Sequence, residues 1–257
     1  MLKKRLVGVV TVKNGWAVQS FGYRRYLPLG KPECIVENLC RWGADEIIVQ
    51  VIDRDTDNSG PDFQLLTKLA ELGLETPLIY GGGIRTIEEG VKVIQSGADR
   101  LSLDALLHDN LTIVYDLADK LGRQALIAVM PMSFSADELL WLDYRNKVSI
   151  PVTSDLLRAF TDRVVSEVLL VDWKNEGVPS SFDVSFVEKF PSVDLPLIAF
   201  GGISEHQQMF DLFRRPSISA VAIGNFLNYR EHTIQKFKEA LVNMSVRSPV
   251  YASSHND

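Results

Sequence analysis

Two glycine turns are the residues of this chain with the clearest capacity for chemistry. Leu78-Ile79-Tyr80-Gly81-Gly82-Gly83-Ile84 and Leu197-Ile198-Ala199-Phe200-Gly201-Gly202-Ile203 are apolar runs that end in glycine, offset by 119 residues. Each leads into a helical pattern. A strand ending in Gly-Gly at a helix N-terminus lets backbone N–H groups approach an anion with no side chain in the way. Gly82, Gly83, Gly201 and Gly202 are therefore candidate phosphate contacts. The competing reading is a plain strand-to-helix turn; the duplication with matched flanks favours phosphate. Carboxylates recur at the same ends. Asp53 and Asp172 each close an apolar run, and each precedes its glycine by 29 residues. Both are candidates for substrate contact, whereas Asp57 and Asp62 suit turns and caps. His108, His206, His232 and His255 fall on predicted helices or the tail without metal-ligand spacing, so no metal is expected.

The elements that must position these groups alternate strand and helix. Apolar runs over 5–12, 45–53, 77–82, 100–103, 124–130, 167–172, 196–201 and 219–223 read as eight strands with helical patterns between them. No linker interrupts them. That pattern predicts an α/β fold, a single (β/α)8 barrel in residues 1–244 made of two duplicated half-barrels (about 1–122 and 123–244), with 245–257 as a tail. Active groups then lie at strand C-terminal ends, among them Thr11, Asp53, Asp104, Pro131 and Asp172. Residues 16–31, rich in aromatics, glycine and arginine, read as a long functional lid. Residues 133–149 read as an inserted hairpin. Thr86-Ile87-Glu88-Glu89 opens its helix as a capping box.

Composition narrows the function classes. With 257 residues, 46% hydrophobic content and a net charge of -6, the chain can bury a large core and carries no basic footprint for nucleic acid or anionic membrane. Its apolar runs have strand length, too short to span a bilayer. Cys34 and Cys40 lack a metal motif and fit reduced thiols in a cytoplasmic protein.

Several stretches together resemble the cyclase (synthase) subunit of imidazole glycerol phosphate synthase, one of the histidine-biosynthesis barrels. They are Lys4-Arg5-Leu6, Val12-Lys13-Asn14-Gly15, Gly43-Ala44-Asp45-Glu46, Gly81-Gly82-Gly83-Ile84, Gly97-Ala98-Asp99-Arg100, Glu167-Val168-Leu169-Leu170 and Gly201-Gly202. The resemblance implies a class I glutaminase partner at the N-terminal barrel face, forming a heterodimer. Ammonia would pass along the barrel axis to a phosphorylated small molecule at the C-terminal face, without a cofactor. It places an ammonia gate at Arg5, Glu46, Arg100 and Glu167, where charges of alternating sign would neutralise one another. Asp99 resembles the position that touches the glutaminase. The second phosphate position comprises Gly201, Gly202, Gly224 and Asn225. The first carries Asp104 where the family has asparagine.

The departures bear on the reaction. The family's general acid/base pair is two aspartates at the ends of the first and fifth strands; here those positions are Thr11 and Pro131. Proline has no proton to exchange, and a threonine hydroxyl is a poor base near neutral pH. Thr11, Asp53 and Asp172 are left as the catalytic candidates. This fits the family's paralogues in surface-polysaccharide loci, which are thought to supply ammonia for amidino-sugar formation. A histidine-pathway lyase with displaced catalytic groups and a non-catalytic glutaminase activator are the alternatives.

Overall fold

The structure is a computed structural model that describes residues 3–135, 138–191 and 194–250. Its strands, in chain order, are β1 (Arg5–Lys13), β2 (Trp16–Phe21), β3 (Arg25–Gly30), β4 (Glu46–Val51), β5 (Leu78–Gly81), β6 (Arg100–Leu103), β7 (Leu126–Ser135), β8 (Glu138–Asp143), β9 (Val148–Pro151), β10 (Glu167–Asp172), β11 (Leu197–Phe200) and β12 (Ile218–Ile223). Eight of them pair in parallel in the order β1-β4-β5-β6-β7-β10-β11-β12, and β12 returns to β1. The result is the expected closed (β/α)8 barrel.

Alternation within strands builds two apolar layers. Leu6, Ile47, Val49, Val168 and Leu170 face the surrounding helices, whereas Val7, Val9, Ile48, Leu169 and Val171 belong to a separate inner cluster. A strand buried on both faces loses the polar half of its pattern, which is why these runs are continuously hydrophobic. Each fully buried Leu or Ile contributes about 2 kcal/mol through removal of its surface from water.

Two antiparallel additions rise from this frame. The segment expected as a lid loop is instead a hairpin, β2–β3, whose first strand pairs with β1 through Thr11↔Val18 and Val12↔Ala17. Gly22 and Tyr23, both at positive φ, make its turn. Its backbone groups are satisfied by the ladder, which a loop of that length would have left to water. The expected hairpin over 133–149 is present and larger, because β7 runs on beyond the barrel to pair with β8, and β8 with β9. The capping box closes as expected: Glu89 N donates to Thr86 Oγ1 at 3.1 Å, and Thr86 N donates to Glu89 Oε2 at 3.1 Å.

At the C-terminus the last helix is short, Thr233–Ala240, and the chain after it docks on the start of β1. Lys4 and Val246 form a parallel bridge, and Val246 is buried. Residues 251–257 of the expected tail lie outside the described residues.

Candidate functional site at the two ends of the barrel

At the N-terminal end, Arg5 and Glu46 start β1 and β4, and Arg100 and Glu167 start β6 and β10. Their side chains meet in a closed ring. Arg5 Nη1 donates to Glu46 Oε1 at 2.7 Å, and Arg5 Nη2 also bonds Glu167. Arg100 Nη1 donates to Glu167 Oε2 at 2.7 Å and lies 3.8 Å from Glu46 Oε1. Sequence reasoning missed a fifth member, Ser219, whose Oγ donates to Glu167 Oε1 at 2.7 Å. It stands 119 residues after Arg100, the offset of the glycine turns, so the repeat itself carried the signal. Burial alone would raise the Glu167 carboxyl, but Arg5 and Arg100 hold it below the usual range.

The two Gly-Ala-Asp stretches act alike beside this ring. Leu6 N donates to Asp45 Oδ2 at 2.7 Å, and Leu78 N donates to Asp99 Oδ2 at 2.8 Å. Each aspartate thus caps the strand before it. Asp99 remains exposed on the same end of the barrel.

At the C-terminal end a cavity of about 920 Å³ opens over the first glycine turn. Gly81, Gly82, Ser102, Asp53, Asp55 and Asp104 contribute to its wall. A methyl on Gly82 would overlap the Val51 carbonyl, and φ there is +122°, so the turn needs glycine. Gly83 packs against Gly60 and Pro61 instead of facing the cavity.

Five buried polar atoms of the residues that line this cavity have no hydrogen-bond partner: the carboxylate oxygens Asp53 Oδ1 and Asp104 Oδ1, the Ser102 hydroxyl, and the donors Arg145 Nε and Trp173 Nε1. Buried groups of this kind are ordinarily paired, so their convergence marks where ligand hydroxyls can bind. Burial and the Asp55 carboxylate push the Asp104 carboxyl well above the ordinary range, against Arg145 and the Trp141 indole. A carboxyl raised in this way holds its proton more readily, and in the protonated form it can donate a hydrogen bond or a proton. Tyr144, on the β8–β9 turn, donates to Asp55 Oδ2 at 2.8 Å, and burial raises its phenol.

The other catalytic candidates lie elsewhere. Thr11 is buried in the ladder opposite Val18 and Gln50, and Pro131 opposite Val171. Neither lines the cavity. Asp172 is 1% exposed and serves its own loop, accepting from Asn175 Nδ2 at 2.8 Å and Asp183 N at 2.9 Å. Its repeat mate Asp53 does face the cavity, with one oxygen held by Asn14 N at 2.8 Å.

The second glycine turn is nearly solid. The space lined by Gly201, Gly202, Gly224 and Asn225 measures about 10 Å³. Asn225 is committed to the β2 backbone: Ser20 N donates to its Oδ1 at 3.1 Å, and its Nδ2 donates to Ser20 O at 2.6 Å. Glu176, 3% exposed, lines the same space and accepts from Gly22 N at 3.0 Å.

Two aromatic residues behind Asp104 were also not anticipated. His108 stacks on Trp141 with ring centroids 3.2 Å apart, and burial pushes its imidazole down to about 4. Burial of His108 against the added hairpin has no local signal in the sequence. His255 lies outside the described residues. Among the described residues, no group of three or more His, Cys, Asp or Glu is placed to hold a metal ion, and no helix is long and apolar enough to cross a membrane.

The chain matches the family described as "Histidine biosynthesis protein" over residues 5–233. It is 27% identical over 256 residues to the protein named "Putative imidazole glycerol phosphate synthase subunit hisF2" of Vibrio vulnificus (strain YJ016), covering 97% of this chain and 94% of that one. It is 27% identical over 250 residues to the imidazole glycerol phosphate synthase subunit HisF of Alkaliphilus metalliredigens (strain QYMF), covering 96% and 98%. The same-named subunit of Staphylococcus aureus (strain MRSA252) is 25% identical over 245 residues, covering 94% and 97%.

Proposed function

The chain belongs to the histidine biosynthesis protein family, and on that premise we propose that it is the ammonia-accepting barrel of a glutamine amidotransferase complex. A class I glutaminase docks at the N-terminal face, around the ring and Asp99. Ammonia enters through the ring, follows the barrel axis and meets a phosphorylated, sugar-like ligand in the C-terminal cavity. The observation that carries this reading is the closed ring of Arg5, Glu46, Arg100 and Glu167 at the opposite end of the barrel from the cavity.

The physical chemistry fits a neutral passenger. Between ring and cavity the inner layer is Val7, Val9, Ile48, Ile79, Ile127 and Leu169, an environment that penalises ammonium far more than NH3. Alternating charges hold one another in place, so the ring can part for a small neutral molecule without leaving a charge unpaired. In the cavity, Asp104 supplies or takes up the proton, with Tyr144 and Asp55 opposite. Thr11 and Pro131 cannot fill the roles of the family's aspartates. That loss is why we place the chain with paralogues that make amidino sugars for surface polysaccharides, not with the histidine-pathway cyclases.

Genetic rescue separates the two. Expressed in a strain lacking its own cyclase subunit, the chain is expected to leave the cell a histidine auxotroph. Growth without histidine would overturn the paralogue assignment and establish the second reading, a histidine-pathway lyase, which the names of two of the relatives favour.

A further inference from the structure

The two glycine turns share a sequence pattern but not a purpose. The space at the second turn, about 10 Å³, is at the lower limit for a single water, and a phosphate with four oxygens does not fit. What fills it is the chain itself. Asn225 makes a two-bond clamp on Ser20, and Glu176 is anchored on Gly22, so both ends of one short stretch of the β2–β3 hairpin are tied across the turn. Gly22 N lies within reach of both the carbonyl and the carboxylate of Glu176, at 2.9 and 3.0 Å. Just before the following helix, Ser204 N and Glu205 N are also taken, both donating to Gln208 Oε1, at 3.0 and 3.3 Å. The Glu176 carboxyl thus occupies the place where an anion would sit.

The open cavity has the opposite make-up from end to end. Its floor carries the unpartnered Asp53 Oδ1, Ser102 Oγ and Asp104 Oδ1. The exposed charged residues of its lining, at the mouth, are Lys147, Lys174 and Arg24 with the single carboxylate Asp57, and Lys13 is half-buried. Hydroxyls suit the floor and an anion suits the mouth.

We propose that this barrel takes a polyol ligand with an anionic group at one end only, its hydroxyls on the Asp53–Ser102–Asp104 floor and its anion at the lysine-lined mouth, the second glycine turn being closed by Glu176 and Asn225. This rests on the reading that the barrel takes a phosphorylated ligand, and it names which class of such ligands the site selects. The chain discriminates against molecules phosphorylated at both ends.

Calorimetric titration with ribose 5-phosphate and with ribulose 1,5-bisphosphate tests it. The second phosphate is expected to improve affinity by less than about threefold. A gain of about thirtyfold or more would overturn the inference. Glu176→Gln, which keeps the shape of the side chain, leaves the turn filled and is expected to change neither affinity; a several-fold gain for the bisphosphate alone would overturn closure by side-chain bulk. Failure of both probes to bind would instead refute the phosphorylated-ligand reading. Hydrogen exchange then decides the closure itself. Slow exchange at Ser20 and Gly22, unaltered by excess inorganic phosphate, supports it, and phosphate-induced slowing at Gly201–Ile203 overturns it.

Discussion

Identical residue types at repeat-related positions have unequal fates here. Asp53 lies just past β4 and Asp172 ends the equivalent β10, yet one turns an unpaired oxygen toward the cavity side of the barrel and the other is consumed by Asn175 and Asp183. Glu176 is the sharper case. Burial pushes its carboxyl up to about 7, although the Ser20 side chain and the Gly22 and Tyr23 amides oppose the shift. The folded state therefore holds this proton more tightly than the unfolded chain, whose value is 4.5. The contribution of this group to stability is full below that value, declines as pH rises, and levels off above 7. His108, depressed to about 4, has the opposite sign and lends stability that is lost as pH falls below 6.5. Guanidinium unfolding of Glu176→Gln against the parent isolates the first group. The variant is expected to be more stable by about 2–3 kcal/mol at pH 8 and nearly equal at pH 4.5. Curves that run parallel across that range would show that Glu176 does not titrate as described.

Elements were legible where local pattern and tertiary environment agree. The eight barrel strands and the Thr86–Glu89 capping box fall in this group. Residues 16–31 do not, because their strand alternation is interrupted by aromatics and by the Gly22-Tyr23 turn, and only pairing with β1 makes them a hairpin. The glycine turns show how much an element demands of a single position. At Gly82 a methyl overlaps the Val51 carbonyl, a backbone atom that cannot yield, and φ is +122°. Gly73 also has positive φ, +58°, but has open space around its Cβ position. Gly82→Ala should therefore cost more than about 2 kcal/mol, and Gly73→Ala about 1 kcal/mol. Thermal unfolding of the two variants compares them directly; equal losses would mean that the close approach at Gly82 is relieved by backbone movement.

At the scale of the whole molecule the barrel separates an ion-paired end from an open polar cavity by an apolar interior. Four charges from strands far apart in the chain are brought to one ring, their side chains 9–14% exposed. Removing one member leaves its partners facing like charge in a largely desolvated place. Glu167→Ala, which strips Arg5 and Arg100 of their shared carboxylate, is expected to destabilise the barrel by about 2–4 kcal/mol in chemical denaturation. Paired with a glutaminase, it should also release ammonia to solvent instead of coupling it to product. A variant as stable and as tightly coupled as the parent would remove the ring from the ammonia path.

The sequence alone determined the barrel, because strands buried on both faces must read as unbroken apolar runs and the helices between them keep their own period. The ring was legible only through the resemblance to the histidine-biosynthesis barrels, since charges at four strand starts read by themselves as ordinary rim charges. Which glycine turn stays open was decided only by tertiary structure. That outcome depends on whether Asn225 reaches Ser20 across 205 residues of chain, and on what the added hairpins bury. Spacing specifies the backbone of a turn; the side chains that fill it arrive from elsewhere in the fold.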